Sequence, residues 1–188
     1  MDLRSIYNIG IEPKDKQQYI NTIKNGNVEL IVNTSIENGE DVQRIGVVVS
    51  LPLIYNGELK IGDEVVVHHN VFRITYNDQG VPMQSTFHFK DDLFFIPEDM
   101  IYLKIRKGKV SSYNDNVFVE PIMYEDYWEG QKLVERQGYI KFSNDKLNNI
   151  GIKDGDKIVF RKFCEYKFNI FGLELYKMKD TRILAKLN

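Results

Sequence analysis

The chain is predicted to be mainly β, with two tandem small β-barrels behind a short N-terminal helix or arm. Three observations predict this class. Tyr, Phe and Trp reach 12% of the residues and gather with Val and Ile in short runs, a composition suited to pleated, half-buried surfaces. Turn signals separate these runs at roughly 8–12-residue spacing with no helix between them. The order of elements in residues 27–106 then returns in residues 107–188.

Taken in order, the N-terminal segment reads as a short helix. Pro13 suits a first helical turn, Tyr19, Ile20 and Ile23 fall on one face, and Gly26 can stop the helix. Fewer than four turns are marginal alone, so residues 1–26 are a helix or a loosely ordered arm. Asn27-Val-Glu-Leu-Ile-Val32 and Ile45-Gly-Val-Val-Val49 follow as strands. Asn56-Gly57 signals a hairpin, and Gly62-Asp63 turns into Glu64-Val-Val-Val67. Asp78-Gln-Gly80 separates two further runs in an insertion around residues 70–88, where an extra hairpin is expected. Phe94-Phe-Ile96 and Ile101-Tyr-Leu-Lys-Ile105 close the first half, and Arg106-Lys-Gly-Lys-Val110 reads as a linker.

The second half repeats the pattern. Asn116-Val117 matches Asn27-Val28, and Arg136-Gln-Gly138 matches Arg44-Ile-Gly46. Lys153-Asp-Gly-Asp-Lys-Ile-Val-Phe160 matches Lys60-Ile-Gly-Asp-Glu-Val-Val-Val67, and Tyr176–Ala185 matches Phe94–Leu103. Gly-Asp turns are common singly, but the same order throughout points to an internal duplication. The expected organisation is an arm at 1–26, a first barrel at 27–106 and a second at 107–188.

The second copy resembles the GroES-type co-chaperonins. The resemblance rests on Asp115-Asn-Val-Phe-Val-Glu-Pro-Ile122, Gly138-Tyr-Ile140, Ile152–Phe160 and the Ile183-Leu-Ala185 ending. The first copy's Gly62–Arg73 is similar, more faintly, to tandem bacteriophage relatives. The resemblance implies small barrels that act by docking, and a mobile loop after the first strand that grips a chaperonin. This sequence departs from the family there. Asn33–Arg44 carries no aliphatic triplet, Gly130-Gln-Lys-Leu133-Val134 is only an echo of the family's patch, and Asn144–Ile150 is short for the roof hairpin.

Composition excludes several classes. With 25 Lys+Arg against 27 Asp+Glu the net charge is −2, so no strongly basic surface is expected for nucleic acid. No apolar run reaches the roughly 18 residues of a membrane span. A single cysteine, Cys164, excludes an intramolecular disulfide and fits a reducing compartment. As a nucleophile it would need a positioned base, and the second copy contains no histidine. His68, His69 and His88 define no metal site without a placed carboxylate. No phosphate loop or catalytic constellation is present, so neither enzyme activity nor a cofactor is expected.

Partner-binding candidates remain. Tyr127 and Trp128 lie in the acidic, tyrosine-rich Tyr124–Glu129 connector, where an aromatic serves either as an interface anchor or as a cover for the barrel end. Leu133 and Val134 either form a docking pair or begin the next strand, whose core would include Tyr139 and Ile140. The expected function is a non-enzymatic, oligomeric protein-binding module. It would serve as a co-chaperonin-like folding or assembly factor in the cytoplasm of a host cell, with a chaperonin as partner. The alternative is a structural virion protein docked among capsid or head subunits.

Overall fold

A computed structural model describes residues 3–20, 22–25, 28–31, 41–126 and 130–187. It is mainly β, with two large antiparallel sheets of seven and six strands and two short two-stranded ribbons. The chain divides into two compact units, residues 1–108 and 109–188.

The first unit holds β1 (Ile9–Pro13), β2 (Thr22–Asn25), β3 (Val28–Ile31), β4 (Ile45–Ser50), β5 (Glu64–Val67), β6 (Thr75–Tyr76), β7 (Pro82–Met83), β8 (His88–Lys90), β9 (Leu93–Ile96) and β10 (Ile101–Arg106). The second holds β11 (Lys109–Ser112), β12 (Asn116–Asp126), β13 (Gly130–Phe142), α1 (Asp145–Asn149), β14 (Lys157–Phe160), β15 (Tyr166–Ile170), β16 (Leu173–Lys179) and β17 (Ile183–Leu187). Alternation of side chains builds each core. Along β4 the residues are alternately half-buried and buried, ending on Val48 and Ser50, while β14 buries Ile158 and Phe160.

The two units share one strand order. The first runs β10-β5-β4-β1-β9-β8 and the second β17-β14-β13-β12-β16-β15. Their registers agree residue by residue. Pro13 faces Gly46 as Pro121 faces Gly138, and Ile11 faces Phe94 as Val119 faces Tyr176. Gly46 faces Val65 as Gly138 faces Ile158, and Val66 faces Leu103 as Val159 faces Ala185. The turn before the third strand is also the same. Gly62 and Gly155 have φ of +90° and +89°, a conformation that costs an L side chain energy. Asp63 and Asp156 each accept the backbone N–H three residues earlier, from Lys60 and Lys153, at 2.8 Å.

Several expectations are corrected. The N-terminal segment is neither a helix nor an arm, because β1 is an internal strand that pairs with both β4 and β9 and buries Ile9 and Ile11. Pro13 ends that strand, and within the 3-10 turn Lys14–Lys16 after it Asp15 and Lys16 both have φ +57°, so no helix propagates. Tyr19 instead bridges to Val42, and its hydroxyl accepts the Ile74 N–H at 2.8 Å. The structural counterpart of the strand at Val117 is therefore Ile9-Gly-Ile-Glu-Pro13, not the segment at Asn27. Asn56-Gly57 makes no hairpin. The loop is irregular, with the Tyr55 hydroxyl accepting the Leu59 N–H at 2.8 Å. Closed barrels are not found either, since among the described residues both strand orders are linear and β15 and β17 do not pair. The insertion does carry an extra hairpin, β6–β7. Among the described residues no helix is long and apolar enough to cross a membrane.

Candidate docking site on the second unit

The site grows from one irregularity in β12–β13. Up to Pro121 and Gly138 the two strands pair as their counterparts do in the first unit. Pairing then resumes with Met123 opposite Leu133 and Tyr124 opposite Lys132, continuing to Asp126 and Gly130. Between these stretches β13 has extra residues and Arg136 adopts φ +60°, so the strand bulges and its further half is re-aimed. The Arg136 Nε donates to the Phe160 carbonyl at 3.1 Å, tying the bulge to β14.

Leu133 and Val134 therefore lie within strand β13, which already begins at Gly130, rather than in a loop. Ile140 of that strand is buried, but Tyr139, expected in its core, is 45% exposed because neighbouring strand residues point to opposite faces. Leu133 is 42% exposed and Val134 half-buried. Both line a cavity of about 240 Å³ whose apolar wall continues with Phe160 and Tyr176. Glu135, Arg136, Lys162 and Glu165 stand around it, so an apolar hollow is ringed by both signs of charge. This matches the anatomy of binding sites, in which a desolvated apolar centre sits inside a polar rim. Tyr127 and Trp128 lie outside the described residues.

Phe163 completes the site and was not singled out by the sequence. It lines the cavity, stands 98% exposed, and has φ +58° in the turn between β14 and β15. The apolar residues of Phe160–Ile170 do not form one strand: β14 ends at Phe160 and β15 begins at Tyr166. The signal for the turn between them was Arg161-Lys162, two long charged residues that interrupt the apolar run immediately before Phe163.

The remaining candidates are placed elsewhere. The His68 and His69 rings stack with centroids 4.2 Å apart, because β5 ends at Val67 and the strand alternation that would separate them stops there. Burial, then His68, Arg44 and Arg73, push His69 down to about 4, so it is neutral near pH 7. His88 lies edge-on to Phe94 and donates through Nε2 to the Asp91 carbonyl at 2.8 Å. Among the described residues no group of three or more His, Cys, Asp or Glu is arranged to hold a metal. Burial and the neighbouring Glu165 push the Cys164 thiol up, and its Sγ donates to the Arg161 carbonyl at 2.8 Å. That environment disfavours the thiolate a nucleophile would require.

No protein-family model matches the chain, and no curated protein matches it in sequence.

Proposed function

We propose that the protein is a non-enzymatic, co-chaperonin-like docking module that meets its protein partner through the cavity face of the second unit. The observation that carries the reading is the 240 Å³ apolar hollow lined by Leu133 and Val134 at the base of the β12–β13 hairpin. A hollow of this size accepts one large side chain of a partner, the arrangement on which interface anchors depend. The resemblance of Val117-Phe-Val-Glu-Pro121 and Ile183-Leu-Ala185 to GroES-type sequences supports a chaperonin as partner and each unit as an incompletely closed barrel of that type. So does the position of the hairpin directly after Val117–Pro121, the stretch that carries the resemblance.

Co-migration of the full chain with a chaperonin in the presence of nucleotide tests this. The expected result is capture by the wild type and on the order of tenfold weaker capture by Leu133→Asp, with unchanged thermal unfolding. Absence of binding by demonstrably folded protein overturns the chaperonin reading.

One observation favours a second reading, a structural virion component. The connector is strand-paired over Met123–Asp126 and Gly130–Leu133, and a rigid hairpin suits permanent packing better than repeated capture and release. Stoichiometric presence in purified virus particles supports that reading, and absence from them removes it.

A further inference from the structure

The shared register allows one unit to be compared with the other position by position. Gly138, Phe160 and Tyr176 of the second unit correspond to Gly46, Val67 and Phe94 of the first. In the first unit this place is filled. Phe72, supplied by the insertion after β5, is fully buried there with its ring edge-on to Phe94 at 4.9 Å. Its ring tip comes so close to Gly46 that an added Cβ would lie 3.1 Å from it. The second unit lacks the insertion, having only residues 161–165 between β14 and β15, and the corresponding place is the open cavity.

A phenylalanine nevertheless stands beside it. Phe163 follows β14 much as Phe72 follows β5, but it points into solvent from a left-handed backbone position. Positive φ is unfavourable for a bulky side chain, and full exposure leaves an aromatic ring unused. Exposed Leu133 at the cavity rim, with Met123 opposite it in the hairpin, extends the apolar surface.

We propose that the occupant of the cavity is Phe163 of a second copy of this chain, exchanged reciprocally across a two-fold axis. Knob and hole lie next to each other on one face, so the face is self-complementary and a two-fold pairing satisfies both copies at once. The first unit supplies the precedent that this position takes a phenylalanine ring. The pairing also covers Leu133 and Val134, so a paired chain withholds the face proposed for partner docking. It does not depend on that reading, because it concerns purified protein without any partner.

Sedimentation velocity of the full chain up to about 100 μM, with three variants, tests the proposal. Wild type is expected to show a concentration-dependent dimer. Phe163→Gly removes the ring and suits the left-handed position, so the fold is not at risk, and its dimer dissociation constant should rise at least about tenfold. Leu133→Glu, which places a charge in the cavity mouth, should weaken pairing similarly. In a mixture of the two variants the Phe163 ring of the Leu133→Glu chain meets the uncharged cavity of the Phe163→Gly chain, which lacks only its own Phe163 at the wall, and the mixture should associate more tightly than either variant alone. A monomeric wild type, a Phe163→Gly chain that dimerises as wild type does, or a mixture no tighter than its components each overturns the proposal. Failure to bind a chaperonin leaves it standing.

Discussion

Gly138 shows how much of a strand pair can depend on a missing side chain. A Cβ there would lie 2.4 Å from Val119 Cγ1 and 2.7 Å from the Glu120 carbonyl oxygen. The carbonyl belongs to the paired strand and cannot turn aside. Gly138→Ala is therefore expected to destabilise the second unit by about 2–3 kcal/mol in urea unfolding. Gly46, the counterpart, meets its nearest atoms at 3.1–3.3 Å, two of them side-chain tips, so Gly46→Ala should cost clearly less. Equal losses at the two positions would contradict the argument. The residue type at both sites was legible as part of the Arg-x-Gly match between halves. The approach distance that makes one glycine stricter than the other was not, because it depends on how closely the facing strand crosses.

Elements rather than residues decide where the second unit stops and turns. Helix α1 is too short to persist by propensity, and its N-cap holds it. The Asn144 Oδ1 accepts the Leu147 N–H at 3.0 Å, while its Nδ2 donates to Asp180 Oδ2 at 3.0 Å. Leu147 is thereby set into the core with Val117, Ile140 and Ile158. Asn144→Ala removes both bonds from a buried site and is expected to cost about 2 kcal/mol, measured as a lower midpoint of chemical unfolding. An unchanged midpoint would show that the cap is dispensable. Strands built on short apolar runs bounded by turn residues, such as β4, β9 and β14, could be read directly from the sequence. The N-terminal segment could not, because Pro13 is equally compatible with the first turn of a helix and with the last residue of a strand. Only pairing with β4 and β9 on both sides decides between them. The cavity face was half legible for a similar reason. Leu133 and Val134 could be picked out as aliphatic residues in a polar connector, whereas Phe163 joins them only through the fold.

At the scale of the whole molecule, the two units should answer acid differently. His69 is held well below its ordinary 6.5, mainly by burial, so between pH 6.5 and about 4 the unfolded chain binds a proton that the folded one refuses. That contribution to stability is complete above pH 6.5 and lost as pH falls toward 4. It belongs to the first unit, since the second contains no histidine. Asp63, lowered chiefly by its hydrogen bonds from the Arg106 guanidinium, and Asp156, lowered chiefly by that from Lys186, stabilise above the usual carboxylate range and lose this only below about pH 4. Calorimetry from pH 7 to pH 5 is therefore expected to lower the transition of the first unit and leave that of the second nearly fixed. His69→Gln should remove the difference, and parallel shifts of both units would refute the assignment. By itself the sequence determined the class, the Gly-Asp turns and the positions of the regular strands, because these follow from short apolar runs and local backbone demands. Tertiary structure alone decided that β1 is internal, that both units share one register, and that an aromatic fills a site in one and leaves it open in the other. Those outcomes depend on residues distant in sequence meeting across a sheet, which no local pattern encodes.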